Sequence, residues 1–108
     1  MTDYNPDNWV VIKMGVDDPH YRVLAGWSGS YLNGHSWRMN SGITRVEDAG
    51  ERFNFYGSSG SCYNCHKDLY RLRMNNFHVW NQLKELHSDK VEMMPEETDW
   101  LGMDWIIK

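Results

Sequence analysis

A β-strand is predicted by the stretch Trp9-Val10-Val11-Ile12-Lys13-Met14, which is aromatic and β-branched over most of its length. The strand is expected to end at Gly15, because the Asp17-Asp18-Pro19 sequence that follows has the composition of a turn. Beyond this turn, His20–Trp27 alternates its side chains between two faces and predicts a second strand. The two strands are therefore expected to form a hairpin.

A second hairpin is predicted further along the chain by Ile43–Asp48 and Arg52–Tyr56, which are separated by a short break. The sequence Gly57-Ser58-Ser59-Gly60 predicts a tight turn after this hairpin. Ser61–Lys67 should then run back beside the preceding strand. This arrangement would place both cysteines of the chain on a strand.

A helix is predicted for Asn76–His87, where apolar residues recur on one stripe of a helical surface. That stripe consists of Phe77, Val79, Trp80, Leu83 and Leu86. The pair Asn75-Asn76 offers an N-cap, because a short amide side chain can accept a hydrogen bond from the first turn. Shorter signals predict extended structure at 35–42 and 69–74 and a strand at 91–94. The final stretch, 100–107, is apolar and is expected to pack on the core or on a partner.

The whole chain is predicted to be a single compact domain, residues 1–108, with residues 1–8 as a polar lead that could be mobile. A chain of this length can bury one core but not two independent ones. Its hydrophobic content of 41% is too high for a disordered segment. The order of elements favours an α+β fold, a twisted, mostly antiparallel sheet of about five strands with one amphipathic helix packed on one face.

The formal net charge of −4 disfavours nucleic acids and anionic membranes as partners, because either would need a local basic patch acting against the overall field. The first eight residues lack the basic and apolar regions of a secretory signal, and no apolar run approaches transmembrane length. We therefore expect a soluble, cytoplasmic protein without a membrane partner. In that compartment the cysteines are expected to remain thiols.

The only two cysteines stand in the sequence Cys62-Tyr63-Asn64-Cys65-His66, which has the C-x-x-C-H spelling of a c-type haem attachment site. Cys62, Cys65 and His66 could alternatively supply zinc ligands. A strand sends residues three apart to opposite faces, which weighs against both sites. Adjacent ligands also strain a tetrahedral zinc site, which weighs against zinc. The favoured interpretation is two ordinary thiols, with Cys65 buried as a small hydrophobic side chain and Cys62 half exposed.

A basic cluster is formed in the sequence by Lys67, Arg71 and Arg73, beside Tyr63 and Tyr70. Cations mixed with aromatic rings can bind phosphate or stack on bases, so a nucleotide or nucleic acid is a candidate ligand. The favoured alternative is a solvated strand face, because the chain as a whole is acidic.

Near the C-terminus, Trp100, Met103 and Trp105 are interleaved with acidic residues. Aromatic residues and methionine are enriched in the cores of protein interfaces, so this pattern is typical of a protein-binding surface. A terminal strand that covers the domain is an equally weighted alternative.

Two stretches carry a resemblance to a known family: Tyr21-Arg22-Val23-Leu24-Ala25-Gly26-Trp27-Ser28-Gly29-Ser30-Tyr31 and Ser36-Trp37-Arg38-Met39-Asn40-Ser41-Gly42. With them, most of residues 9–87 resembles small tailed-bacteriophage proteins of no known activity. The resemblance implies a cytoplasmic viral accessory protein that binds a host or phage macromolecule, and it brings no cofactor or catalytic residue.

Catalysis has little support in the sequence, since no nucleophile motif such as G-x-S-x-G is present. The sequence therefore predicts a small non-enzymatic binding protein that inhibits or modulates a host macromolecule, with a protein as its partner. The alternative is a haem c or zinc redox protein built on the C-x-x-C-H stretch.

Overall fold

Two four-stranded β-sheets and one α-helix form three layers in the computed structural model, which describes residues 2–15, 19–28 and 36–105. In chain order the elements are β1 (Thr2–Tyr4), β2 (Asn8–Met14), β3 (His20–Trp27), β4 (Ser36–Met39), β5 (Ile43–Asp48), β6 (Arg52–Gly57), β7 (Ser61–His66), α1 (Met74–His87) and β8 (Val91–Met93). Short 3₁₀ turns occupy Lys67–Leu69, Ser88–Lys90 and Trp100–Gly102. Residues 16–18 of the predicted first turn and 106–107 of the predicted final stretch lie outside the described residues.

The strands divide into an outer sheet, in the order β1-β7-β6-β5, and a central sheet, in the order β4-β3-β2-β8. The central sheet is antiparallel throughout. The outer sheet is antiparallel except that β1 runs parallel to β7, with Thr2 opposite Ser61 and Tyr4 opposite Tyr63. The polar lead of residues 1–8 therefore contributes a strand to the fold.

β2 has buried side chains on both of its faces, and this places it in the middle layer. Trp9 and Val11 face the outer sheet, in a core that also contains Phe55 of β6, whereas Val10 and Ile12 face α1. A strand that is apolar on both faces needs a covering layer on each side. The continuous apolar run of β2 is therefore matched to a three-layer fold.

The α+β class and the mostly antiparallel pairing are confirmed, but the prediction of one sheet with about five strands is only roughly matched. β2 and β3 pair as the predicted first hairpin, while β5, β6 and β7 form the second hairpin and its return strand. The strands separate into two sheets because β3, like β2, is apolar on both faces. Val23 and Ala25 join the core between the sheets, and Leu24 joins the core beneath α1.

α1 begins at Met74, two residues before the predicted start, and ends at the predicted His87. Its first turn therefore includes Asn75 and Asn76, which are fully buried and do not stand outside the helix as N-caps. The extended structure predicted for 69–74 is shortened accordingly, since 3₁₀ geometry ends at Leu69 and the helix starts at 74. Within the described chain, no helix has the length and apolar composition needed to cross a bilayer.

The predicted apolar stripe of α1 is only partly buried. Val79 and Leu83 pack against the central sheet as predicted, whereas Phe77 and Leu86 are exposed. Phe77 is displaced from the sheet because the inward face of the first turn is occupied by asparagine. Leu86 lies on the same side of the helix as Val79, seven residues earlier, but it remains 76% exposed.

Three buried asparagine side chains join α1 to the central sheet. Asn8 Nδ2 donates to Oδ1 of both Asn75 and Asn76 at 3.1 Å, and Asn8 Oδ1 accepts from Asn75 Nδ2 at 2.7 Å. Asn76 Nδ2 donates to the Leu24 carbonyl at 3.3 Å, and Asn76 Oδ1 accepts from the Arg73 backbone N–H at 2.9 Å. Buried amides are tolerated only when they find partners of this kind. We call Asn8, Asn75 and Asn76 the asparagine cluster.

Asn8→Ala is predicted to lower the free energy of unfolding by about 2 kcal/mol or more, because the buried Asn75 Oδ1 and Nδ2 would both lose their partner. Urea unfolding followed by circular dichroism measures the change. The matched control is Asn81→Ala, since Asn81 lies exposed on α1 and should change stability by less than about 0.5 kcal/mol. Similar losses in the two variants would contradict a structural role for the cluster.

Gly26 of β3 lies directly against the cluster, since a Cβ at this position would lie 2.1 Å from Asn75 Oδ1. Gly26→Ala is therefore predicted to cost about 1–3 kcal/mol of stability through overpacking. The double variant Gly26→Ala plus Asn75→Ala removes the clash, so its cost should be smaller than the sum of the two single costs. Urea unfolding of the four proteins measures the coupling, and strictly additive costs would show that the two side chains do not meet.

Candidate binding surface

The two cysteines lie on β7 and point to opposite faces of the outer sheet. β7 pairs with β6 without interruption from Cys62, opposite Tyr56, to Cys65, opposite Phe53. Side chains three residues apart on such a strand project to opposite sides. Cys65 accordingly packs in the core between the sheets, while the Cys62 thiol, on the other face, donates to Asn64 Oδ1 at 3.3 Å. Cys62 is buried as well, so its predicted half-exposure is wrong.

His66 does not join the cysteines in a common site. It ends β7, and its Nδ1 accepts a hydrogen bond from the Asp68 backbone N–H at 3.1 Å. Among residues 2–15, 19–28 and 36–105, no group of three or more His, Cys, Asp or Glu side chains is placed to hold a metal ion. The donor set of the C-x-x-C-H stretch is therefore divided between two faces, and this geometry does not fit haem c or zinc.

Burial governs the chemistry of both thiols, which are free in this structure. It raises the pKa of Cys65 well above its ordinary value, and the neighbouring Cys62 adds to the shift. The pKa of Cys62 is also raised, mainly by desolvation. Because the thiolate is the reactive form, both cysteines are held in their less reactive state near neutral pH.

Trp100 and Trp105, candidates for the predicted protein-binding surface, are buried in the core between the sheets. Their rings stack with centroids 6.2 Å apart, and Trp105 Nε1–H donates to the Trp100 carbonyl at 3.2 Å. Met103 packs against the same core. The final stretch therefore covers the interior, beginning with a 3₁₀ turn instead of the predicted terminal strand. The acidic residues interleaved with these side chains do not predict the burial, because they indicate only which side of the segment faces outward.

Tyr63 and Tyr70, the aromatic partners in the predicted basic cluster, are also held inside the fold. Tyr63 is buried on β7, and the Tyr70 ring packs edge-on against Trp9 with centroids 4.7 Å apart. The Tyr70 hydroxyl accepts from the Val11 backbone N–H at 3.2 Å and donates to the Met94 carbonyl. Desolvation raises the pKa of both tyrosines to about 12. Neither ring face is presented for stacking on a base.

Lys67, another member of the predicted basic cluster, is engaged by partners on the outer sheet. Its Nζ lies 2.9 Å from Asp48 Oδ1 and 4.6 Å from the centre of the Phe53 ring. The hydrogen bond from Lys67 is the main cause of a lowered pKa at the Asp48 carboxyl. These contacts tie the Lys67 charge to the turn between β5 and β6.

Arg71 and Arg73 line a surface depression of about 360 Å³, together with Ser28 and Met74. Leu72, between the two arginines, packs into the core beneath α1. Arg71 and Arg73, on either side of Leu72, are both exposed. The fold thus brings together the two arginines of the predicted cluster and separates them from its lysine and tyrosines.

Neither guanidinium is neutralised within the described part of the chain. The two ion pairs found there join Arg45 to Glu47 and Lys67 to Asp48. Arg71 Nη2 donates to the Asp68 carbonyl at 2.8 Å, which leaves its other N–H groups for further partners. The depression therefore presents two cations without a paired carboxylate.

The main chain beneath the two arginines is held by hydrogen bonds. The Arg71 N–H donates to the Trp9 carbonyl at 2.9 Å, and the Arg71 carbonyl accepts from Asn8 Nδ2 at 3.2 Å. The Arg73 N–H donates to Asn76 Oδ1 at 2.9 Å. A ligand would find this backbone already ordered, which reduces the entropy lost on binding.

Exposed apolar side chains lie beside the depression. Met74, which lines it, is 78% exposed, and Phe77, one helical turn later, is 49% exposed. Trp37 of β4 is 45% exposed and pairs with Gly26, whose open side faces Asn75 of α1. Cross-strand partners share a face, so Trp37 lies on the helix side of the central sheet. We call the set Ser28, Trp37, Arg71, Arg73, Met74 and Phe77 the arginine surface.

Sequence reasoning found the arginines of this surface but not its apolar members. Phe77 fits the helical period of the buried stripe, and only the position of the asparagine cluster shows that it faces outward. Trp37 stands in a stretch predicted to be extended, but alternation in so short a strand does not indicate which face is covered.

The stability of the fold is predicted to decline above about pH 9, the ordinary pKa of a cysteine thiol. The pKa of Cys65 is raised in the folded state, so its contribution is fully present below the unfolded pKa and is lost as the pH rises through the folded one. Urea unfolding between pH 8 and 10 should show a steeper decline for the wild type than for Cys65→Ala. The difference should approach about 1.4 kcal/mol per pH unit. Parallel slopes would contradict a buried, neutral thiol.

Comparisons of this chain with protein-family models, with curated proteins and with solved structures found no match. No residue role is therefore carried over from a relative. The arginine surface is assigned from its charge, exposure and hydrogen bonding.

Proposed function

We propose that this protein is a small non-enzymatic binding protein that docks a protein partner on the arginine surface. In the cytoplasm of a phage-infected cell, that partner is a host macromolecule whose activity is inhibited or modulated by the contact. The observation that carries the proposal is the placement of two unpaired guanidinium groups beside exposed methionine, phenylalanine and tryptophan side chains.

The composition of this surface supports a protein partner. Arginine, aromatic residues and methionine are the types enriched in the energetic centres of protein interfaces. Exposed apolar side chains near charged ones are found at interaction sites. Phage origin and a host target are supported by the sequence resemblance described above.

The proposal is tested by placing the photo-crosslinking residue p-benzoylphenylalanine at Phe77 in the full chain, expressed in bacterial cells. Irradiation is expected to give a discrete adduct with a protein, identified by mass spectrometry. The adduct should be lost when Arg71→Glu and Arg73→Glu are added, because charge reversal repels the same partner. Thermal unfolding checks that the altered proteins remain folded.

The control places the same crosslinker at Glu51, an exposed position in the turn between β5 and β6. The Glu51 protein should not form the adduct seen with Phe77. Equal adducts from the two positions, or an adduct that survives both charge reversals, would argue against docking at the arginine surface. Absence of any adduct at Phe77, together with a turnover activity of the purified protein, would favour an enzyme instead.

A further inference from the structure

We propose that the arginine surface recognises an extended acidic peptide, with two carboxylates two residues apart and an apolar residue beside them. This inference rests on the proposed function and adds the chemistry of the partner segment. It follows from the spacing of the arginines, their unpaired charge and the apolar side chains next to them.

The spacing of the two arginines matches that of an extended ligand. Arg73 has an extended backbone, with φ −136° and ψ −178°, and it lines the same depression as Arg71, two residues earlier. Alternate residues of an extended chain are about 6.6 Å apart and point to one side. An extended peptide repeats the same distance, so acidic side chains at its first and third positions can face Arg71 and Arg73 together.

Charge complementarity selects carboxylates for these positions. A guanidinium group binds a carboxylate through two parallel N–H donors, and such charge-assisted pairs are stronger than neutral hydrogen bonds. The ordered main chain holds the arginine Cα atoms in place before the ligand arrives. A volume of about 360 Å³ exceeds the space of one carboxylate and accommodates further peptide atoms.

The apolar members of the surface select the neighbouring ligand residue. Met74 lines the depression, so it can contact an apolar side chain that follows the second carboxylate. Methionine adapts to irregular apolar partners, whereas Phe77 and Trp37 offer rigid contact area. A partner with acidic side chains alone would leave these groups in water.

A peptide fits the surface better than a nucleic acid does. The two tyrosines nearest the arginines in sequence are not available for base stacking, since Tyr63 is buried and the Tyr70 ring packs against Trp9. Lys67 is paired with Asp48, which leaves two arginines to meet a polyanion. A chain with a net charge of −4 would repel the remaining phosphates.

The test selects binders from a displayed library of random twelve-residue peptides, using the full chain as bait. Acid-x-acid sequences followed by an apolar residue should be enriched. A selected peptide, labelled with fluorescein, should bind at least tenfold more weakly to Arg71→Gln plus Arg73→Gln in fluorescence polarisation. The matched control, Arg52→Gln plus Lys84→Gln, removes the same charge at residues outside the arginine surface and should change the affinity less than twofold.

Three further measurements separate this chemistry from its alternatives. Replacing both acids of the peptide with their amides should abolish binding, and replacing its apolar residue with serine should weaken it about tenfold. A single-stranded oligonucleotide that binds more tightly than the peptide would overturn the proposal in favour of nucleic acid. Enrichment of peptides without acidic residues, or no enrichment at all, would also overturn the proposal. The proposed function would still stand if the Phe77 adduct forms and is lost on charge reversal of Arg71 and Arg73.

Discussion

The buried hydrogen bonds of the asparagine cluster are the constraint on which the relation between the layers depends. Asn8 begins β2, Asn75 packs against Gly26 near the end of β3, and Asn76 orders the main chain where α1 starts. Amides removed from water must keep specific partners, whereas apolar contacts tolerate sliding. The cluster therefore fixes both the position and the rotation of the helix on the central sheet.

The same bonds connect stability to binding. Asn8 Nδ2 also donates to the Arg71 carbonyl, and Asn76 Oδ1 accepts from the Arg73 N–H. The main chain of both arginines is therefore fixed by the same hydrogen bonds that stabilise the fold. A protein whose net charge is negative can thus present a small cationic site through the positions of two arginines. Lys67 shows the contrast, because its ion pair with Asp48 removes it from the site.

Much of the fold could be predicted from periodicity, and the errors arose where polar and apolar residues reverse their usual positions. Alternation and turn residues located the hairpins, and helical spacing located most of α1. Asn75 and Asn76 were predicted as a cap because asparagine usually favours helix ends, and their burial depends on Asn8, which is distant in sequence. The burial of Trp100 is hard to predict for a similar reason, because its partner Trp9 is also distant in sequence.

The parallel pairing of β1 with β7 has a consequence for how the chain folds. This pairing cannot form until the region around Ser61 exists, and the interior remains incomplete until Trp100 and Trp105 reach it. Contacts between distant segments carry a large loop-closure cost and slow the search for the native state. During synthesis, the apolar side chains of β2 therefore remain partly exposed until the outer sheet that covers them has been made.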